Sequence, residues 1–180
     1  MKNKIIEQIE IPEGIECSYE SKIFTCKKGG DETSRLVDIP GSVLEIKDGK
    51  VTITCNKANR KERAVLVTFI KHISNMFKGL EEKFVYELEI CNVHFPMNVK
   101  IEKSEVVIDN FLGEKYKRRA DIRQGVDVDV NGNVIKVSGI NIESVGQTAA
   151  NIEKATKVSN KDRRIFQDGI FITSKNGRKI

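Results

Sequence analysis

The two histidines, His72 and His94, are the side chains of this sequence best suited to proton transfer near neutral pH. A catalytic histidine works beside a nucleophile, or beside a second acid or base within hydrogen-bond reach. His72 falls inside a predicted helix, and His94 falls in a Val-His-Phe-Pro stretch after a predicted strand. Neither belongs to a recognisable catalytic motif. The sequence therefore predicts structural histidines and a protein that is not an enzyme.

The four cysteines could ligate a metal ion, but their spacing does not favour it. Cys17, Cys26, Cys55 and Cys91 include no Cys-x-x-Cys pair and no zinc-finger spacing. Isolated cysteines in a reducing compartment commonly serve as small apolar core residues. We therefore predict no structural metal.

Glycines could cradle a phosphate group if they stood between a strand and the start of a helix. Gly29-Gly30 and Gly113 instead follow predicted hairpins. We interpret them as turn residues, and no cofactor is predicted.

Residues 115–123, Lys-Tyr-Lys-Arg-Arg-Ala-Asp-Ile-Arg, carry five basic side chains in nine positions. One interpretation is a solvated loop between strands. The other is an RNA surface on which Arg118 and Arg119 bind phosphates while Tyr116 packs or stacks. Composition alone leaves both interpretations open.

A predicted helix over residues 145–157 is rich in small residues, namely Gly146, Thr148, Ala149 and Ala150. Glycine near a helix start lowers helix stability, which indicates a close approach of another group. Tight packing against the helix's own sheet and contact with an RNA backbone are both compatible with this pattern.

Residues 160–180 alternate basic side chains with aromatic and aliphatic ones. We expect Phe166, Ile170 and Ile172 to fasten this segment to a sheet, with the basic groups facing outward. This segment is the first place to look for RNA contacts.

Charge is concentrated at the same end of the chain. The formal net charge is +5 with a pI near 9.0. Residues 1–82 hold 14 Lys and Arg against 13 Asp and Glu, residues 83–180 hold 17 against 13, and residues 154–180 hold 8 against 2. An excess of +6 in the last segment favours a polyanionic partner. No stretch resembles a membrane span or a signal peptide, so we expect a cytosolic protein.

The elements that carry these residues occur twice. A shift of 83 residues places Ser21 on Ser104, Arg35 on Arg118, and the pair Asp48-Gly49 on Asn131-Gly132. Both pairs are favoured in two-residue hairpin turns, and each is flanked by short alternating apolar runs. An earlier hairpin precedes each of them, over residues 15–27 and 99–109.

A helix follows in each half. Leu66, Ile70, Ile73 and Phe77 form one apolar stripe at helical spacing. Asn59 with Glu62 predicts a capping box at the start of this helix, and Gly79 its end.

The second helix repeats the stripe with Val145, Ala149, Ile152 and Thr156, and Asn141 is the predicted cap. A closing strand is predicted after each helix, over residues 84–90 and 170–173. The fold class is therefore α+β, with two tandem copies of a mostly antiparallel β-sheet covered on one face by a single α-helix. The predicted domains are residues 1–82 and 83–180.

Four stretches of the sequence resemble the universal large-subunit ribosomal protein six family, in its archaeal and eukaryotic form (numbered nine in eukaryotes). They are Lys-His-Ile-Ser-Asn-Met-Phe-Lys-Gly at 71–79, Val-His-Phe-Pro-Met-Asn-Val-Lys-Ile at 93–101, Asn-Phe-Leu-Gly-Glu-Lys-Tyr-Lys-Arg-Arg at 110–119, and residues 145–172. They occur in order along the chain. The turn Cys26-Lys27-Lys28-Gly29-Gly30-Asp31 departs from the Gly-Pro-Lys-Gly type of the family, so no contacts are carried over there.

The resemblance implies a structural constituent of the large ribosomal subunit, bound to its rRNA near the stalk base and the sarcin–ricin region, mainly through the second domain. Neighbouring stalk-base proteins are implied as partners, with translation-factor GTPases nearby. The rRNA-binding candidates are eleven basic residues of the second domain. They are Lys115, Lys117, Arg118, Arg119, Lys157, Lys161, Arg163, Arg164, Lys175, Arg178 and Lys179.

A free-standing RNA-binding module outside the ribosome is the alternative. An RRM-type stacking platform is disfavoured, because the sequence has no aromatic run of that type and no tryptophan.

Overall fold

The computed structural model describes residues 3–38, 41–47, 49–162 and 164–180. The chain forms two compact units, residues 1–82 and residues 83–180, which we call unit 1 and unit 2. Every strand pair described in either unit is antiparallel. The predicted α+β class is therefore confirmed.

Unit 1 combines two small sheets with one helix. Its described elements are β1 (Asn3–Glu10), β2 (Glu16–Glu20), β3 (Ile23–Lys28), β4 (Asp31–Leu36), β5 (Ser42–Lys47), β6 (Lys50–Ala58) and α1 (Arg60–Glu81). The strand orders are β1-β6-β5 in one sheet and β2-β3-β4 in the other. Helix α1 packs against strands of both sheets, so it closes the core of the unit.

Unit 2 repeats this plan and extends it. Its described elements are β7 (Phe84–Cys91), β8 (Asn98–Glu102), β9 (Glu105–Asp109), a 3-10 turn (Phe111–Gly113), β10 (Arg118–Asp121), β11 (Val126–Asn131), β12 (Val134–Gly139), α2 (Ile142–Ala155), β13 (Gly169–Lys175) and β14 (Arg178–Lys179). One sheet has the order β11-β12-β7-β13-β14 and the other β10-β9-β8. Helix α2 packs against strands of both.

Helix α1 begins as predicted and ends later than predicted. The Asn59 side chain accepts hydrogen bonds from the backbone N–H groups of Lys61 and Glu62, and the Glu62 carboxylate accepts one from the Asn59 N–H. The capping box is therefore confirmed. The predicted end at Gly79 is wrong, because Leu80 in the following turn is buried and holds the helix against the core.

The apolar stripe of α1 faces the core of unit 1. Leu66 and Ile73 have no exposed surface, Phe77 is buried, and Ile70 is half-buried. The Phe77 ring lies 6.5 Å from the ring of Phe24 on β3, which joins the helix to its sheet. The periodicity of the sequence therefore identified the buried face correctly.

Helix α2 uses its small residues against its own unit. The Asn141 side chain caps it by accepting the Glu143 N–H. Thr148 is fully buried, and a Cβ atom on Gly146 would lie 3.7 Å from the Tyr86 ring of β7. This contact favours tight packing against the sheet as the reason for the small residues.

The strand that was predicted to close the first copy belongs to the second copy instead. Residues 84–91 form β7, which lies between β12 and β13 in the five-stranded sheet of unit 2. The corresponding strand of unit 1 is β1, at the start of the chain. It escaped prediction because Ile6 is half exposed and Glu7 shares the inner face, so the strand lacks a clean alternation.

The turn between β11 and β12 also differs from the prediction by one residue. Asn131 pairs with Val134, so the two-residue turn is Gly132-Asn133 instead of Asn131-Gly132. Gly132 has a φ of +59°, in the left-handed region that favours glycine. In the first copy the predicted turn includes Asp48, which lies outside the described residues.

The buried stripe of α1 makes a direct prediction about stability. We expect Leu66→Ala or Ile73→Ala to lower the free energy of unfolding of unit 1 by about 2–5 kcal/mol, because each leaves a cavity. Lys71→Ala on the exposed face should lower it by less than about 1 kcal/mol. Urea unfolding of the full chain, monitored by hydrogen exchange in peptides of unit 1, measures the difference. Equal effects of the three substitutions would contradict the assignment of the buried face.

Candidate nucleic-acid interface

We call the predicted rRNA-binding side chains of unit 2 the basic surface. Its first part runs from the loop after the 3-10 turn to the start of β10. Tyr116 is 87% exposed, and Lys115 is exposed with no described ion pair. Lys117 contacts the Asp109 carboxylate at 3.3 Å. Arg119 contacts Glu105 at 2.9 Å on the neighbouring strand. These side chains remain accessible on the surface of unit 2.

Arg118 behaves differently from its neighbours because the protein itself occupies its guanidinium. Its Nε and Nη2 donate to the two carboxylate oxygens of Glu114 at 2.7 and 2.6 Å. Its Nη1 donates to the carbonyl oxygen of Ala155 at 2.8 Å, and its Cζ atom lies 4.2 Å from the centre of the Phe111 ring. The hydrogen bonds from Arg118 hold the pKa of Glu114 below its usual value.

This arrangement joins the loop to the end of α2. The last carbonyl groups of a helix lack partners within the helix and carry partial negative charge. Arg118 supplies a cation and a donor to that end, so we interpret it as a residue that positions the loop. That Arg118 binds phosphate stays a prediction, and these contacts show which groups of unit 2 already bind its guanidinium.

The second part of the surface is the segment that follows α2. Lys157 is exposed and has no described ion pair. The Lys161 ammonium lies 4.3 Å from the centre of the Phe166 ring, a cation–π distance. Phe166 in turn stacks on the His94 ring, at 5.1 Å between centroids and 23° between planes. This chain of contacts places Lys161 on two stacked aromatic rings.

Asp168 fixes the position of His94, the residue on which Phe166 stacks. Its carboxylate is 1% exposed, and one oxygen accepts the backbone N–H groups of Val93 and His94 at 2.8 and 2.9 Å. The other oxygen accepts from Nδ1 of His94 at 2.5 Å. Because a carboxylate only accepts, the proton of this bond belongs to Nδ1. Burial raises the pKa of Asp168, but the hydrogen bonds from His94 and Val93 outweigh it and lower the pKa overall.

Arg164 and the carboxyl-terminal hairpin complete the basic surface. Arg164 is 89% exposed and pairs with Asp162 at 2.8 Å, and its hydrogen bonds lower the pKa of Asp162. Arg163 lies outside the described residues. Lys175 stands 6.0 Å from the Tyr86 ring, and Arg178 and Lys179 are exposed on β14.

The anchoring side chains predicted for this segment contribute unequally. Ile170 is fully buried in the core of unit 2, and Ile172 packs partly against it. Phe166 is half-buried on His94 instead of the sheet. Sequence inspection missed Asp168 as an anchor, because its partners lie 74 and 75 positions away.

A cavity of about 570 Å³ opens beside the end of α2. Its lining is mostly apolar. The residues are Cys91, Val93, Glu153, Lys154, Thr156, Lys157, Val158, Phe166, Gln167, Asp168 and Phe171. Its buried carboxylate, Asp168, has both oxygens engaged by N–H donors, so it is not placed to act as a base.

Other chemistry finds little support in the part of the chain that the structure describes. No group of three or more His, Cys, Asp or Glu side chains there could hold a metal ion. His72 lies in unit 1, 3.2 Å from an Arg35 nitrogen. Neither α1 nor α2 is a long enough apolar helix to cross a membrane.

The architecture and this surface define a protein of the duplicated α+β class with a basic surface on unit 2. Residues 95–169 match the family model of ribosomal protein L6. The chain is 45% identical over 176 residues to the large ribosomal subunit protein uL6 of Methanococcus vannielii, which covers 98% of this chain and 97% of that protein. It is 44% identical over 175 residues to the uL6 of Methanosarcina mazei, with 97% and 99% coverage. The chain belongs to the uL6 family, and the resemblance to its archaeal form is confirmed.

The buried carboxylate leads to a prediction about pH. We expect Asp168→Asn to lower the free energy of unfolding of unit 2 by about 1–3 kcal/mol at pH 7, because the amide group brings a donor into a site of donors. The folded-state pKa of Asp168 is lowered, so its stabilisation is present above the ordinary value of 3.8 and is lost as the pH falls through the lower folded-state pKa.

The difference between Asp168→Asn and the parent chain should therefore shrink below about pH 4. Urea unfolding at a series of pH values measures it. Asp127→Asn is the matched control, since Asp127 is 77% exposed and pairs with Lys83 at 3.4 Å. A difference that stays constant with pH, or a control as damaging as the variant, would refute the proposed anchor.

Proposed function

We propose that this protein is a structural, non-catalytic constituent of the large ribosomal subunit that binds rRNA through unit 2. The observation that carries the proposal is its similarity to proteins named large ribosomal subunit protein uL6 along 97–98% of the chain. The basic excess of unit 2 supports it, because phosphate neutralisation supplies much of the affinity for RNA.

The resemblance noted in the sequence also suggests a place within the subunit. We propose that unit 2 lies near the base of the factor-recruiting stalk and the sarcin–ricin region. Stalk-base proteins would be its neighbours, and translation-factor GTPases would act nearby. Its cellular location would then be the cytoplasm.

The proposed phosphate-binding side chains belong to ten basic residues of unit 2, all of them exposed except Arg163, which lies outside the described residues. They are Lys115, Lys117, Arg119, Lys157, Lys161, Arg163, Arg164, Lys175, Arg178 and Lys179. Lys117, Arg119 and Arg164 form exposed ion pairs, which contribute little stability and can be exchanged for contacts with phosphate. Arg118 stays a predicted contact but is not part of this set, because its guanidinium already binds groups of the protein.

The contacts beneath Lys161 favour recognition of backbone shape by an ordered surface. A flexible tail would lose about 1–2 kcal/mol of conformational entropy per residue when RNA orders it. The stack of Lys161 on Phe166 and His94, held by Asp168, provides this order before binding. The same phosphate contacts then yield more net affinity.

The lysines of this segment provide the main test. We expect Lys157→Ala combined with Lys161→Ala to weaken binding of a large-subunit rRNA fragment. The plot of log affinity against log salt should become shallower by about 1–2 units, since each lost phosphate contact removes roughly 0.7–0.9. Lys71→Ala combined with Lys78→Ala, two exposed lysines of α1, is the matched control and should leave both unchanged. If the two double variants behave alike, the RNA surface is not where we propose it.

The variant Phe166→Ala tests the contribution of the aromatic ring beneath Lys161 separately from that of the basic charges. It removes the ring beneath Lys161 and deletes no basic group. We expect weaker binding of the same rRNA fragment with a nearly unchanged salt slope, because the charges remain but must be ordered on binding. A slope that falls as far as in the lysine double variant would show instead that Phe166→Ala displaces the cations.

Sedimentation of cell extract distinguishes a ribosomal protein from a free-standing RNA-binding module. A ribosomal protein should stay with large subunits through a high-salt sucrose gradient. A main pool at the top of the gradient would favour the free-standing module.

A further inference from the structure

The hairpin of β2 and β3 brings two cysteines opposite each other. Its two-residue turn, Ser21-Lys22, has positive φ at both positions, 51° and 67°, as a type I′ turn requires. The turn sets the register, in which Cys17 is the direct partner of Cys26.

The kind of pair follows from counting along the hairpin. Residues that close a two-residue turn form a hydrogen-bonded pair, and the pairs then alternate along an antiparallel ladder. The closing pair is Glu20 with Ile23, so the third pair beyond it, Cys17 with Cys26, is of the non-hydrogen-bonded kind. Such pairs have Cα atoms about 4.5 Å apart, which lies within the range that a disulfide spans. The two Sγ atoms are 3.4 Å apart.

The two thiols differ in environment. Cys26 has no exposed surface, whereas Cys17 is only half-buried. The hydrogen bond from Cys26 lowers the pKa of Cys17. The same bond, together with burial and the nearby charge of Cys17, raises the pKa of Cys26. The thiolate therefore forms on the sulfur that solvent can reach.

We propose that Cys17 and Cys26 form an oxidisable dithiol site that a peroxide converts to an intramolecular disulfide. The site lies in unit 1 and does not depend on the proposed binding of RNA. The buried partner, Cys26, is accessible to Cys17 but not to a thiol of another molecule, which favours the bond within the chain.

The reaction balances with hydrogen peroxide as the oxidant. The Cys17 thiolate attacks one peroxide oxygen, the O–O bond breaks, and the departing hydroxide takes a proton to become water. The sulfenic acid on Cys17 is then attacked by the Cys26 sulfur. The S–S bond forms, the S–O bond breaks, and the proton of Cys26 leaves with that oxygen as a second water. Two thiols lose two electrons and the peroxide gains them.

The other two cysteines serve as internal controls. Cys55 is 2% exposed, so peroxide reaches it poorly. Cys91 is half-buried, and burial together with the charges of Glu89 and Asp168 raises its pKa. Both should react more slowly than Cys17: Cys55 because it is shielded from solvent, and Cys91 because the thiolate is the reactive form.

The test is a timed treatment of the full chain with hydrogen peroxide, followed by alkylation of the remaining thiols and mass spectrometry. We expect one disulfide per chain, with a mass lower by about 2 Da before alkylation, while Cys55 and Cys91 are still alkylated. Trypsin cleaves after Lys4, Lys22 and Lys27, so peptides 5–22 and 23–27 should be recovered joined until a reductant is added.

Two variants test the assigned roles. In Cys26→Ser, Cys17 should stop at a sulfenic acid, with a mass higher by about 16 Da and captured by dimedone. In Cys17→Ser, Cys26 should retain its thiol under the same treatment. Oxidation of Cys91 before Cys17, a disulfide between any other pair, or disulfide-linked dimers as the main product would overturn the proposal. If a variant fails to fold, the peptide map of the unaltered chain decides alone.

Discussion

The carboxylate of Asp168 holds together parts of unit 2 that are distant in sequence. It is buried, and a buried carboxylate is tolerated only when donors replace the water it has lost. Val93 and His94 supply those donors. The contact orients the His94 ring, the ring supports Phe166, and Phe166 supports Lys161. The positions of Phe166 and Lys161 therefore depend on one hydrogen-bonded carboxylate.

Basic residues that look alike in the sequence do unlike things in the structure. Arg118 and Arg119 are adjacent, yet one is enclosed by Glu114, Ala155 and Phe111 while the other stands at the surface. Adjacent residues of a strand point to opposite sides, so alternation alone separates them. The difference could be recognised only once these residues were known to form strand β10, which the composition of the segment did not indicate. The sequence identified the cationic region, but not which of its basic side chains bind groups of the protein and which lie at the surface.

Prediction succeeded where the signal was local. The stripe of Leu66 and Ile73, the capping box at Asn59 and the cap at Asn141 each depend on a few neighbouring positions. It failed where pairing partners are distant, because periodicity describes one strand and not its neighbours. Strand β7 was assigned to the wrong half for this reason, and the contact between His94 and Asp168 could not be foreseen. The resemblance to a known family indicated the class of protein, which local patterns did not.

The strand order has a consequence for how the protein emerges from its own synthesis. All strands of unit 1 lie within residues 1–82, so that unit can fold while the rest of the chain is being made. Unit 2 differs, because β7, its first strand, is paired on one side by β13, close to the carboxyl terminus. One edge of β7 therefore stays unpaired until β13 has been translated. Completion of the five-stranded sheet is thus a late step in the folding of unit 2, and nascent chains that stop before β13 would lack it.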